Sequence, residues 1–523
     1  MGQRKRLTRW APEATVFLVV WIALLWFGRE RMFRDPGTFW HVVVGERMLN
    51  TGEPVTTDSF SFTQYGRPWI AQQWLGECMM AVVHRIAGFD GMLLVSVTLL
   101  ALTFAYVGRR WFRTGLPGPV VAIMLLLLAG ACSYHFLPRP HLVTIALTAW
   151  VYGLLCDVEA KRRTGRVLLC IPIVFAIWTN IHGGVLGSIV TSVAVLAYWL
   201  LFARSRPDLS GRASPAASVR VHRAPLLLGV VICLSIGSVL LNPYGSRLPA
   251  VWLGLMGSDV LPRLIIEHAP LQFFSTEGTM ILGLAAVYLF VLAQTWPRDR
   301  RVTWLIPLIW LVLALGRVRH GPLFAMTASI AIADMLTVSP IIGRLKARGW
   351  SICPKPVTTR ATLVLTALGL FVASATLQAT GVRCPLIGAG WVRLDESRWP
   401  VAATRALREY VNRHGSEVRI FNDMLYGGFL IYSVPEARVF VDDRCELYGD
   451  WGLLHYAGIR RRPETLDALA MYDDIRLAMV GAGSRMDAYL NGNPGWRSLH
   501  RDATASLYAR AAAGGGDLSS RSN

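Results

Sequence analysis

GPVVAIMLLLLAGACSYHFLPRPHLVTIALTAWVYGLLCDVEAKRRTGR, residues 118–166, decides the fold. Two apolar runs, 118–134 and 141–156, come close to the length a helix needs to cross a hydrocarbon core. Between them lies a short polar loop ending in RPH (139–141); after them comes EAKRRTGR (159–166). Basic residues thus crowd one end of the pair, the asymmetry that keeps such loops in the cytoplasm.

The alternation continues in both directions. Further apolar blocks fall near 13–28, 91–108, 167–181, 183–203, 226–242, 279–296, 303–316, 321–338 and 360–380, giving an expectation of about eleven spans. RRWFR (109–113), the stretch 204–225, PRDRR (297–301) and the segment 343–355 fall inside; the short outside loops carry only Arg139, Arg247, Arg263, Arg317 and Arg319. The basic N-terminus, MGQRKRLTRW, has no small-residue cleavage site after its apolar block and reads as a cytoplasmic lead into an uncleaved first helix. An odd number of spans leaves the C-terminal segment outside.

Composition agrees. Of 523 residues, 53% are hydrophobic and 16% charged, against about a quarter charged in a soluble domain. A soluble globular enzyme and a disordered chain are both excluded. The net charge of +20 sits between apolar blocks rather than on a compact basic surface with interleaved aromatics, so nucleic acid is not an expected partner. None of the eight cysteines forms C-x-x-C; Cys132, Cys156, Cys170 and Cys233 lie in apolar blocks, and a Cys384–Cys445 disulfide stays open in an oxidising compartment.

The expected architecture is a polytopic α-helical membrane protein with a transmembrane domain over 1–380, a large first external loop over 29–90, an extracytoplasmic α/β domain over 381–510 and a disordered tail over 511–523. The first loop holds a helical WHVVVGERML and an amphipathic stretch from about Trp69 to Ile86, suited to lie along the interface. In the C-terminal domain, RIFND, FLIYSV, ARVFVD, RLAMV and ATASLYAR read as strands, and 400–414, 463–472 and 484–490 as helices.

Polar residues beside the spans concentrate on the outer side: RDPGTFWH (34–41) with Asp58, RPH, TNIHGG (179–184), NPYG (242–245), IIEHAP (265–270) and GRVRHGP (316–322). Asp35 and Glu267 are carboxylates, and His41, His141 and His182 imidazoles, able to act as bases or to hold a divalent cation. Asp35, His41, His141 and His182 are the candidate metal set, for Mg or Mn, with a metal-free site as the alternative. Arg139, Arg317 and Arg319 suit a phosphate, whose oxygens accept bidentate guanidinium bonds. Together they point to displacement of a lipid-linked phosphate at the outer surface. Simpler roles stay open: Asp35 as a helix cap, Arg317 and Arg319 reaching to headgroups, His182 at a tight helix entry, and Asn242-Pro-Tyr-Gly as a turn.

RDPGTFWHVVVGERMLNTGEPVTTDSFSFTQYGRPW (34–69) resembles the first external loop of GT-C superfamily membrane glycosyltransferases. IIEHAP is similar to the acceptor-side Glu motif of the oligosaccharyltransferase catalytic subunit, and NDMLYGGFLIYSVPEARVFVDDR (422–444) to the start of its soluble domain. The resemblance, which extends to protein mannosyltransferases, implies a GT-C fold in a plasma or bacterial inner membrane. It implies a polyprenyl-phosphate sugar donor and a lipid, glycan or protein acceptor. It assigns Asp35 and Glu267 to catalysis, Arg319, Arg317 and Arg139 to the donor phosphate, and Asp58, Asn422, Asp423, Tyr426 and Gly427 to the acceptor side. The chain lacks the family's second-loop acidic pair and its Trp-Trp-Asp tripeptide, which speaks against peptide-sequon recognition.

Two other readings compete. A transporter or flippase of a lipid-linked glycan needs ionisable residues within the spans, of which Asp334 is the main instance. A non-catalytic scaffold would bind glycan or protein through its outer domain; there Asp442-Asp443-Arg444 also reads as a strand-end salt bridge.

Overall fold

The computed structural model describes residues 12–202, 225–349, 368–373, 376, 390–415 and 417–511. The expected span at 360–380 lies largely outside the described residues, as do Cys384, the loop 204–224 and nearly all of the expected tail. The chain divides into two compact units: Met1–Met32 with Gln72–Arg393, and Phe33–Ala71 with Leu394–Asn523. The expected boundaries therefore change. The first external loop is split, its first half built into the α/β unit and its second into the helical one.

In the helical unit every apolar block from 13–28 through 321–338 is helical. Among the described residues six helices are long and apolar enough to cross a membrane: Pro12–Arg31, Trp74–Phe112, Gly118–His135, His141–Glu159, Val185–Phe202 and Thr276–Thr295. Gly165–Thr179, Pro225–Leu240 and Val302–Gly316 are shorter apolar helices. The helix Gly321–Leu336 is buried at every residue. It packs against Thr276–Thr295, His141–Glu159, Ile306–Gly316, Gly118–Cys132 and Trp74–Phe112. Its sequence, GPLFAMTASIAIADML, explains this: an all-round apolar helix belongs in the interior, and its small residues let neighbouring backbones approach.

The helix Trp74–Phe112 breaks at Ala87–Gly88, where Gly88 takes a φ of 57° that a side chain rarely adopts. The break separates the amphipathic stretch, with Met79, Val82 and Ile86 exposed, from the membrane-length part. Asp90, just past it, accepts the backbone N–H groups of Gly390, Trp391 and Val392 at 2.7, 3.1 and 2.6 Å.

At the other end of Gly321–Leu336, Asp334 is fully buried and saturated. It pairs with Arg162, accepts from Arg301 Nη1 at 2.8 Å and from Trp304 Nε1 at 2.7 Å. The chain of ions continues through Arg162 to Asp157 and Arg110. Asp334 ties helix ends together; its lone pairs are spent on structure rather than offered to a translocated ion.

The second unit is an α/β domain with a five-stranded sheet: β1 (Val418–Asn422), β2 (Ala437–Val439), β3 (Leu477–Gly481), β4 (Trp496–Arg501) and β5 (Ala505–Arg510), in the order β2-β1-β3-β5-β4. β1 pairs in parallel with β2 and β3; β5 runs antiparallel to β3 and β4. FLIYSV, expected as a strand, lies instead in the helix Met424–Ser433. It is the crossover between the parallel strands β1 and β2, which a hairpin cannot join, and a short apolar run has no period to tell the two forms apart. β4 and the helix Cys445–Arg461 had no counterpart in the expectation. The helix Gly37–Thr51 packs on Met424–Ser433. A Cβ on Gly428 would come within 2.4 Å of the Pro36 carbonyl oxygen, so the approach requires glycine. Phe39, Trp399 and Phe429 form an aromatic core with centroids 4.9 to 5.3 Å apart.

Candidate functional site

Three loops of the helical unit bring charge together. The segment Ile265–Leu271 is laced to the turn before Gly321–Leu336 by two backbone bonds, Val318 N to Ala269 O at 2.9 Å and Leu271 N to Leu315 O at 3.1 Å. That lacing sets His268 against Arg319, whose Nη1 donates to His268 Nε2 at 2.8 Å. A guanidinium has only donors, so Nε2 must carry the lone pair and the imidazole is neutral. Burial, and then Arg319, push the His268 pKa down to about 3. His320 is likewise held at about 4 by burial and by Arg319 and Arg317.

Glu267 Oε1 lies 3.8 Å from Arg139 Nη1, too long for a hydrogen bond, and its side chain keeps 30% exposure. Burial opposes its charge, but Arg139, then His135, Arg319 and His141, outweigh it and hold the carboxyl down to about 2. Glu267 is thus a part-exposed carboxylate loosely held beside Arg139.

The imidazoles line the same region. His141 lies 6.1 Å from His135 and 6.3 Å from His182, ring centre to ring centre. His141 Nε2 donates to the His135 carbonyl at 2.7 Å. Trp178 Nε1 donates to Thr144 Oγ1 at 3.0 Å, which turns the Thr144 hydroxyl hydrogen onto His182 Nδ1 at 2.8 Å. Gly184 N also donates to that nitrogen, at 3.0 Å. His182 is therefore the Nε2–H tautomer, and burial, His141, Arg319 and Arg139 lower its pKa. Its neighbour Gly183 is required by contact: a Cβ there would lie 2.7 Å from Trp252 Nε1.

Glu267, Arg139, Arg319, His141 and His182 are near enough to shift one another's protonation. Arg317 is not among the donors aimed at this cluster; its Nη2 bonds the Met256 carbonyl at 3.0 Å, on the surface. His268, His135 and Glu277 join unexpectedly, His135 Nδ1 lying 3.6 Å from Glu277 Oε1. The sequence signal for His135 and His268 was their place in the same loops, in SYH and IIEHAP; Glu277 lies in the first turn of Thr276–Thr295. Asn242 proves a turn residue: its Oδ1 accepts from Tyr244 N at 2.8 Å.

Asp35, His41 and Asp58 belong to the α/β unit. Asp35 Oδ2 accepts from Thr38 N at 3.2 Å and caps the helix Gly37–Thr51. His41 is fully buried with its ring 3.8 Å from that of Trp40. Among the described residues no three His, Cys, Asp or Glu side chains are grouped so as to hold a metal ion.

The expected acceptor-side residues are largely structural. Asp58 is buried, accepts from Ser61 Oγ at 2.7 Å and pairs with Arg444. Asn422 ties β1 to the strand beside it through Phe440 N and Val441 O, at 2.9 and 2.7 Å. Tyr426 donates to the Thr504 carbonyl at 2.9 Å. Gly427 faces Val441 O, which a Cβ would meet at 2.3 Å. Asp423, accepting from Gly481 N at 2.7 Å and 3.6 Å from Arg460 Nε, stands nearer the surface.

No family model and no curated protein matches the sequence. Solved structures do. The oligosaccharyltransferase of Archaeoglobus fulgidus, tethered with an acceptor peptide containing the NVT sequon, aligns at a TM-score of 0.53 and 12% identity, over 95% of this chain and 74% of that one. ArnT from Cupriavidus metallidurans, bound to undecaprenyl phosphate, aligns at 0.47 and 14% identity, over 96% and 98% of the two chains. The arabinofuranosyltransferase AftD from Mycobacteria aligns at 0.45 and 14% identity, over 96% and 40%. The fold is similar to that of the Archaeoglobus fulgidus oligosaccharyltransferase.

Proposed function

We propose that this protein is a membrane glycosyltransferase moving a sugar from a polyprenyl-phosphate donor to a lipid, glycan or protein acceptor on the outer face. The observation that carries the reading is the gathering of Glu267, Arg139, Arg319 and His268 at one end of the helical unit. Two guanidiniums beside one loosely held carboxylate suit a departing phosphate: its oxygens accept their N–H groups, and its developing charge is met without reorganisation.

The reaction is a single displacement with inversion. An acceptor oxygen forms the bond to the anomeric carbon, the bond from that carbon to the phosphate oxygen breaks, and polyprenyl phosphate leaves with the electron pair. Glu267, ionised throughout the working range, orients the acceptor. The proton of the acceptor hydroxyl is released to solvent water. No step is routed through a metal.

The test incubates the purified full chain in lipid nanodiscs with a panel of radiolabelled polyprenyl-phosphate sugars and follows donor consumption, with water as default acceptor. Consumption by the wild type that falls about 100-fold in Arg319→Gln supports the reading. Consumption of no donor, or equal rates in both proteins, overturns it.

A further inference from the structure

The opposite end of the helical unit, which the charge pattern assigns to the cytoplasm, contains a cavity of about 370 Å³ lined by Arg109, Arg113, Asp157, Arg162 and Arg163. That volume falls in the range of small-molecule sites. Four guanidiniums share the wall with one carboxylate, and that carboxylate is already used twice. Asp157 Oδ2 accepts from Arg110 Nη2 at 2.8 Å and Oδ1 from Arg162 Nε at 2.9 Å.

The wall is built rather than accidental. Lys161 takes a φ of 59°, and the N–H groups of Arg162 and Arg163 turn back onto the Asp157 carbonyl at 2.8 and 3.2 Å. This turn sets both arginines beside the last turns of Trp74–Phe112, where Arg109 is fixed by Glu13 at 3.0 Å. Arg162 is held on its far side by Asp334.

We propose that this cavity binds a phosphate group, drawn from an anionic phospholipid of the adjoining leaflet. Planar guanidiniums match phosphate oxygens in pairs, and a basic recess between membrane helices on the cytoplasmic side meets a headgroup layer of the opposite charge. The site shares no residue with the outer cluster and stands whether or not sugar transfer is found.

The test uses the purified full chain and native mass spectrometry with phosphatidylglycerol, phosphatidylcholine and glycerol 3-phosphate as probes. Phosphatidylglycerol is expected to be retained over phosphatidylcholine, and Arg113→Gln with Arg163→Gln to weaken its retention about tenfold or more. Arg163→Gln alone, at an exposed position, repeats the measurement with the least risk to folding. Arg298→Gln removes the same charge outside the cavity and leaves retention unchanged. Displacement of the lipid by glycerol 3-phosphate supports the phosphate site and names a soluble ester as its source. Equal retention in wild type and both cavity variants, an equal loss in Arg298→Gln, or no phosphate probe bound overturns the proposal.

Discussion

Arg444 donates from Nη1 to Oδ1 of Asp58 at 2.7 Å, across 386 positions of sequence, with both side chains fully buried. The same guanidinium takes Asp442 in a fork, Nε to Oδ1 at 2.8 Å and Nη2 to Oδ2 at 2.6 Å, while the Trp69 ring lies 4.7 Å from its carbon. Trp40 Nε1 reaches Asp443 at 2.8 Å, and Trp69 Nε1 reaches Glu446 at 3.0 Å. These contacts make Phe33–Ala71 part of the α/β unit.

Removing one partner of this cluster leaves a buried charge uncompensated. Asp58→Ala is expected to destabilise the α/β unit by about 3 kcal/mol, read as a lower unfolding midpoint. Asp58→Ala combined with Arg444→Met is expected to recover part of the loss, and a double-mutant cycle measures how much.

Gly428→Ala tests the seam between Gly37–Thr51 and Met424–Ser433. The added methyl meets backbone at 2.4 Å, which a rotamer change cannot relieve. A cost of about 1–3 kcal/mol is expected, with faster proteolysis of the α/β unit as the readout.

Glu267 has a folded pKa of about 2, below the unfolded value of about 4.3. Its contribution to stability is complete above the unfolded value and is lost as pH falls through about 2. The pH profile of sugar transfer is therefore expected to show no limb from Glu267 between about pH 5 and 9. Glu267→Gln should lower the rate without moving the remaining limbs.

His268 and His320 carry the same sign at higher pH. Their folded values, about 3 and about 4, lie below the unfolded value of about 6.5. The unfolded chain takes up their protons first, so stability is full above about pH 6.5 and falls as pH drops below it. A melting series from pH 8 to about 5 should show this slope, and His268→Gln should flatten it.

Asp334→Asn separates a structural carboxylate from a transport residue. Arg162 and Arg301 would face a neutral amide in a buried site, and a loss of about 3 kcal/mol in stability is expected. Donor consumption per folded molecule should be retained.

The sequence by itself determined the helical unit. Apolar blocks and the basic loops between them are local quantities: the bilayer demands length and hydropathy from each segment separately, so 118–134 or 321–338 could be recognised without knowing its neighbours. It also set Arg139, Glu267 and Arg319 in loops beside the apolar blocks, because charge that flanks a span must leave the membrane. Tertiary structure decided what each polar group does there. Arg317 and Arg319 are two residues apart and look alike in sequence, yet one bonds a surface carbonyl and the other a buried imidazole. Asp58 pairs with Arg444, 386 positions away, which nothing in TTDSF foretells. FLIYSV became a helix because β1 and β2 run parallel, a fact held in their pairing. A hydrogen bond between distant residues depends on where the intervening chain travels, and no local pattern records that path.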